Sequence, residues 1–92
     1  MKRRISRPMS DGLARPGSLT LDLHGKNSYQ ARVAINAALR RSRGLYRLRL
    51  VHGFHSGTAL RDMITEEYDA NPLVKRVVRV SDGVTELVLR ES

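Results

Sequence analysis

Two segments of the chain alternate apolar and polar residues, and each ends in the dipeptide His-Gly. Residues 19–24 (LTLDLH) lead into Gly25, and residues 46–52 (YRLRLVH) lead into Gly53. Alternation with a period of two is typical of a β-strand. A helical pattern separates the two segments, which predicts a right-handed crossover with parallel strands. The two His-Gly ends are then expected at one edge of the sheet, beside the N-termini of the helices that follow them.

Two stretches carry apolar residues at helical spacing. The first runs from the capping pair Asn27 and Gln30 to about Arg43, and the second covers residues 58–69. The apolar positions are Ala31, Ala34, Ile35, Ala38 and Leu39 in the first stretch, and Leu60, Met63, Ile64 and Tyr68 in the second. Each helix therefore has one apolar stripe, which must pack against another layer.

Two further strand patterns, residues 75–80 and 85–90, flank the sequence Asp82-Gly83, and Asp-Gly is a hairpin signal. Two helices are too few to cover both faces of a four-stranded sheet. We therefore expect a two-layer α/β sandwich of order β-α-β-α-β-β, with both helices on one face of a four-stranded mixed sheet. The other face should be open. By alternation it should carry Asp22, Arg47, Arg49, Arg79 and Arg90.

The chain is strongly basic, with a formal net charge of +8 in 92 residues. An excess of this size favours a polyanionic partner, and nucleic acid is the most common one. We predict a basic flexible tail over residues 1–18 and a single domain over residues 19–92. In the tail Lys2, Arg3 and Arg4, and in the domain Arg47 and Arg49, are candidates for contacts with a nucleic-acid backbone. A solvated charged surface is the alternative.

Composition also predicts where the protein works. The chain has no cysteine, no apolar run long enough to span a membrane, and no apolar stretch behind its basic start that would make a signal peptide. We expect a cytoplasmic protein without membrane contact. The oligomeric state is left open.

The edge that carries both His-Gly dipeptides is the candidate site. Helix N-termini favour anions, and histidine can donate and accept protons near neutral pH. The candidate catalytic residues are Asp22, His24, His52 and His55. The candidate phosphate-binding residues are Gly25, Gly53, Ser56, Gly57 and Thr58. Each also has a structural interpretation, because glycine forms loops, Ser and Thr cap helices, and a histidine can simply end a strand.

The segment LDLHG at residues 21–25 and the second loop His52-Gly53, followed by a helix, resemble the Smr (small MutS-related) domain over about residues 19–90. The resemblance implies nucleic-acid binding, with endonuclease activity in several members. It also implies an active edge at Asp22, His24, His52 and Gly53. The usual second loop reads His-Gly-x-Gly, whereas His55 stands here at the second glycine. His55 changes the expected loop backbone and adds a proton-transfer group.

The preferred hypothesis is an endonuclease that cleaves RNA or structured DNA. His24 and His52 would share the acid and base roles, and Asp22 would orient an imidazole or bind a metal ion. We predict no dedicated metal site and no required cofactor, with Mg²⁺ as an optional aid. The alternative is a non-catalytic module that binds nucleic acid or the ribosome. An adaptor that docks an acidic protein is a third reading.

Overall fold

The computed structural model describes residues 17–53 and 58–90 of the chain. Its elements are β1 (Ser18–Asp22), α1 (Ser28–Arg40), β2 (Arg47–Val51), α2 (Ala59–Tyr68), β3 (Arg76–Ser81) and β4 (Val84–Val88). The predicted order β-α-β-α-β-β is confirmed. Neither α1 nor α2 has the length and apolar character that a helix needs to cross a membrane. Most of the predicted tail, residues 1–16, lies outside the described residues.

The four strands form one mixed sheet in the order β1-β2-β4-β3. β1 and β2 are parallel, as the crossover predicts, and β4 pairs antiparallel with both β2 and β3. β1 and β3 are therefore the edge strands, and β2 lies inside the sheet. The carboxyl ends of β1 and β2 lie at the same edge of the sheet.

Both helices pack on one face of the sheet. The buried side chains of α1 and α2 form a single cluster with Leu48 and Leu50 of β2 and Leu87 of β4. These strand residues share one face, since Leu48 is directly opposite Leu87. Burial of an aliphatic side chain of this size contributes roughly 1.5–3 kcal/mol, so this shared core supplies most of the stability. The predicted two-layer sandwich is confirmed.

The start of α1 follows the sequence prediction, and its end does not. The Asn27 side chain accepts from the Gln30 amide at 2.8 Å, and the Gln30 side chain accepts from the Asn27 amide at 3.0 Å, which makes a capping box. The helix ends at Arg40 rather than about Arg43. The Ser42 hydroxyl donates to the Leu39 carbonyl at 2.7 Å and satisfies one of the last helical acceptors.

The open face of the sheet carries most of the predicted polar residues. Leu48 and Leu50 are in the core, so Arg47 and Arg49 lie on the other face, and Thr20 and Asp22 share that face with them through the β1–β2 register. The prediction for Arg79 is wrong. It is opposite Thr85, which is buried on the helix side, and the register shifts immediately after it. Directly paired strand residues share a face, so Arg79 lies on the helix side together with Val77, which packs against the core.

Candidate active site

The chain segments that leave β1 and β2 lie side by side. The Leu23 amide donates to the Val51 carbonyl at 2.8 Å, which extends the parallel pairing past the end of β1. A Cβ atom placed on Gly53 would be 3.8 Å from the Cβ atom of His24. The structure therefore brings the two His-Gly dipeptides to one edge, as the crossover predicts.

Asp22 and His24 form a close pair at this edge. The Nδ1 atom of His24 is 2.5 Å from Oδ1 of Asp22, and the His24 amide donates to the same oxygen at 3.1 Å. A carboxylate can only accept, so the Nδ1 atom carries the proton and the Nε2 atom of a neutral ring is left as an acceptor. The side chains of His24 and Asp22 are 74% and 62% exposed, so the pair faces solvent.

The same contacts set the charge of Asp22. The hydrogen bond from the His24 side chain, followed by the one from the His24 amide, holds the pKa of the Asp22 carboxyl below its ordinary value of 3.8. Asp22 is therefore a carboxylate at neutral pH and favours a proton on the Nδ1 atom of His24. In the described part of the chain, the Nε2 atom of His24 has no protein partner.

A tight turn holds His24 in place. The Lys26 amide donates to the Leu23 carbonyl at 3.1 Å, and Gly25 has a φ angle of 78°. A turn with its third residue in the left-handed region requires glycine or asparagine there. Among the described residues other than the two chain neighbours of Gly25, no heavy atom lies within 4 Å of a Cβ placed on this candidate phosphate-binding residue.

His52 is placed very differently from His24. Its residue exposure is 3%, its Nε2 atom is 2.9 Å from Oγ1 of Thr85, and its Nδ1 atom is 2.9 Å from the Gly53 carbonyl oxygen. The carbonyl can only accept, so the Nδ1 atom donates and the Nε2 atom accepts from the Thr85 hydroxyl. Both ring nitrogens are thus occupied inside the fold. The expectation that the His24 and His52 rings meet along one exposed rim is wrong.

The Gly53 amide is also occupied. Gly53 and His52 both donate their amide hydrogens to the Gly83 carbonyl oxygen, each at 3.0 Å. Gly53 has a φ angle of 74°, which favours glycine at this position. The expectation that the Gly53 amide would be free to hold a phosphate is therefore wrong. Gly53 still allows close approach to His24, because it has no side chain.

The remaining candidates of the second loop are only partly described. Thr58 precedes α2, and its hydroxyl donates to Oδ2 of Asp62 at 2.9 Å rather than capping the helix. The candidates His55, Ser56 and Gly57, and in the tail Lys2, Arg3 and Arg4, lie outside the described residues. In residues 17–53 and 58–90, no three His, Cys, Asp or Glu side chains form a group that could hold a metal ion.

Arg47 and Arg49 share a carboxylate that the sequence analysis did not single out. Arg49 contacts Oε2 of Glu86 through its Nε atom at 3.2 Å and its terminal nitrogen at 2.9 Å, and the Nε atom of Arg47 is 3.8 Å from Oε1. Glu86 is opposite Arg49 in the β2–β4 register. Strand alternation in residues 84–88 could have placed Glu86 on the open face, since Thr85 and Leu87 face the core. The negative charge of Glu86 offsets the positive charge of one of the two arginines.

The fold and the site define a class of protein, namely a two-layer β-α-β-α-β-β domain with an exposed Asp-His pair where two parallel strands end. The family model of the Smr domain matches residues 21–86, and the chain belongs to the Smr domain family. Among solved structures, the chain is similar to the Smr domain of Thermus thermophilus MutS2. The two share 32% sequence identity with a TM-score of 0.71, over 78% of this chain and 98% of that chain. A comparison with curated proteins finds no match.

Proposed function

We propose that the protein is a nucleic-acid-binding endonuclease that cleaves phosphodiester bonds of RNA or structured DNA. The observation that carries this proposal is the exposed Asp22-His24 pair, in which the carboxylate holds the Nδ1 proton and leaves the Nε2 atom open. A carboxylate-oriented imidazole is a common form of general base. Membership of the Smr family and the net charge of +8 support nucleic acid as the substrate.

His24 acts as the proton acceptor in this proposal. With RNA, its Nε2 atom takes the proton of the 2′-hydroxyl, the 2′-oxygen attacks phosphorus, and the bond from phosphorus to the 5′-oxygen breaks. The 5′-oxygen takes a proton from solvent or from the imidazolium, and the products are a cyclic 2′,3′-phosphate and a 5′-hydroxyl. With DNA, water replaces the 2′-hydroxyl as the nucleophile. Asp22 stabilises the positive charge that develops on the ring.

His52 receives a positioning role instead of the acid role. Its Nδ1 atom donates to the Gly53 carbonyl and its Nε2 atom accepts from Thr85, so neither nitrogen is available to a substrate. The ring thereby fixes the backbone beside His24.

His55 stays a predicted proton donor, and Lys2, Arg3, Arg4, Arg47 and Arg49 stay predicted contacts to phosphates.

Magnesium remains an optional aid. The two hydrogen bonds from His24 use only Oδ1 of Asp22, and Oδ2 has no partner within the described residues. One carboxylate oxygen together with substrate phosphates and water is a usual set of magnesium ligands. When bound there, the ion would neutralise charge on the phosphate.

The test compares cleavage of labelled RNA and DNA by the wild type, His24→Gln and Asp22→Asn, with and without a chelator. His24→Gln should cleave at least about 100-fold more slowly, because a general base contributes roughly 10²–10⁴-fold. Asp22→Asn should lose less activity and keep nucleic-acid affinity. The matched control is Asp69→Asn, which removes an exposed carboxylate at the C-terminal end of α2 and should cleave normally.

A second function is favoured by the burial of His52, which leaves His24 as the one exposed histidine in the described part of the chain. In this alternative the protein is a non-catalytic module that binds nucleic acid or the ribosome. Wild-type protein that binds RNA in a salt-sensitive way and cleaves none of the substrates would support the module. Full cleavage by His24→Gln would also refute the proposed mechanism.

A further inference from the structure

The outer face of α1 carries two large exposed apolar side chains. Tyr29 is 70% exposed and Val33 is 51% exposed. With 3.6 residues per turn, Tyr29, Val33 and Arg40 lie on one line along the helix, on the side opposite the buried Ala31 and Ile35. This line extends for about 16 Å at 1.5 Å per residue. It starts in the first turn of α1, five residues after His24.

The far end of this line is basic and has no acidic partner. Arg40, Arg41 and Arg43 are exposed, and none of them makes an ion pair within residues 17–53 and 58–90. In contrast, Arg47 and Arg49 share Glu86. No Asp or Glu occurs in the sequence between Asp22 and Asp62, so α1 and the turn after it carry positive charge only.

We propose that this surface, which we call the α1 track, binds a single-stranded segment of the nucleic-acid substrate. The α1 track consists of Tyr29, Val33, Arg40, Arg41 and Arg43. A base stacks on the Tyr29 ring, and phosphates contact the three arginines. Sites for single strands combine an exposed aromatic ring with a basic surface, because every base has a flat face that can stack. A duplex buries those faces and contacts only the cations.

This inference rests on the proposed function, since it names the form of nucleic acid that reaches His24. It also separates two groups of arginines. Arg40, Arg41 and Arg43 are the cations available for phosphate, whereas the charge of Arg47 and Arg49 is partly offset by Glu86.

The first experiment tests stacking. Binding of labelled single-stranded RNA, single-stranded DNA and duplex is measured by fluorescence anisotropy, with every protein carrying His24→Gln so that cleavage during the measurement is slowed. Tyr29→Ala should weaken binding of the single strands about tenfold and leave duplex binding unchanged. Tyr29→Trp should restore the affinity. Leu73→Ala is the matched control, because Leu73 is 53% exposed and lies outside the α1 track.

The second experiment tests the cations. Arg40→Gln/Arg43→Gln should reduce the dependence of log affinity on log salt by about 1.4, since each phosphate contact of a single strand contributes about 0.7. The control Lys75→Gln/Arg79→Gln removes the same charge at the β3 side of the sheet, from two exposed cations that make no ion pair in the described part of the chain. It should leave the salt dependence at the wild-type value.

If the two double variants reduced the salt dependence of binding equally, the attraction would be general electrostatics, and the α1 track would be overturned. Wild-type affinity in Tyr29→Ala and Arg40→Gln/Arg43→Gln would also overturn it, and a protein partner would then be the occupant to seek. The binding experiments are independent of catalysis. If wild-type protein binds single strands in the expected pattern but cleaves none, the endonuclease proposal fails and the α1 track stands.

Discussion

At the scale of single residues, the contact between His52 and Thr85 has consequences for stability. These are the two buried polar residues in the described part of the chain, and they satisfy each other at 2.9 Å. Replacing one of them leaves the other with an unpaired buried polar atom, and such an atom costs about 1–3 kcal/mol. We therefore treat the pair as part of the fold rather than of the chemistry.

We predict that His52→Ala lowers the free energy of unfolding by about 2–4 kcal/mol, through the cavity and the unpaired Thr85 hydroxyl. Thr85→Val, which keeps the shape, should cost about 1–2 kcal/mol. Urea unfolding followed by circular dichroism measures both values. The double variant should cost less than the sum of the single variants. A His52→Ala protein that keeps full stability but loses all cleavage would instead assign the ring to the substrate.

The opposite placement of the two histidines was already present in the sequence pattern. His52 continues the parity of Leu48 and Leu50, which face the helices, whereas His24 continues the parity of Asp22, which faces away from them. Alternation therefore predicts one buried and one exposed ring. The Asp22-His24 contact was also predictable, since His24 lies two positions after Asp22 and continues its parity. The partner of His52 was not, because a hydrogen bond across 33 residues depends on the register of β4.

At the scale of elements, polar contacts join α1 to α2 in addition to their shared apolar core. The Arg32 guanidinium donates to both carboxylate oxygens of Glu67, at 2.8 Å and 2.7 Å. The Tyr68 hydroxyl donates to Oδ1 of Asn36 at 2.7 Å. The hydrogen bonds from Arg32 hold the pKa of Glu67 below its ordinary value, and burial raises the pKa of Tyr68. Both shifts make the packing of the two helices depend on pH.

We predict that Glu67→Gln makes the free energy of unfolding depend less on pH in the acid range. The pKa of Glu67 is lower in the folded state than its ordinary value of 4.5. Its contribution is therefore complete above that value and is lost as the pH falls through the lower folded pKa. The urea midpoints of wild type and Glu67→Gln should differ at pH 7 and converge progressively as the pH falls below the ordinary value of 4.5. Glu66→Gln, which removes an exposed neighbouring carboxylate, should show no such convergence.

The elements themselves were predictable because their signals are local. The capping pair at Asn27, the Asp-Gly turn and the apolar stripes depend on residues within one or two turns of each other, and all of them form as predicted. The end of α1 and the face of Arg79 were missed. The first coincides with the hydrogen bond from the Ser42 hydroxyl to the Leu39 carbonyl, and the second follows from the pairing of Arg79 with the buried Thr85. Neither contact has a distinctive residue pattern.

At the scale of the whole molecule, one core connects every layer. Buried residues of both helices and of the strands β2 and β4 belong to the same cluster. A domain with a single core of this kind usually unfolds in one cooperative step. Its stability should therefore respond in the same way to a cavity under either helix.

We predict that Ile35→Ala in α1 and Ile64→Ala in α2 each lower the free energy of unfolding by about 2–5 kcal/mol, because both side chains are fully buried. In each variant, the transitions seen by far-ultraviolet circular dichroism and by tyrosine fluorescence should coincide. An Ile35→Ala protein in which α2 unfolds at higher denaturant concentration than α1 would contradict the single core.

The Gly83 carbonyl oxygen, which accepts from both His52 and Gly53, connects the tip of the β3–β4 hairpin to the backbone next to His24. The hairpin tip therefore serves as a brace, and its length becomes a determinant of reactivity. An inserted residue at Asp82 would pull that brace away and let the neighbouring backbone drift, although no residue that touches substrate had changed. In the proposed endonuclease, engineering for higher or lower turnover can thus begin at a surface turn.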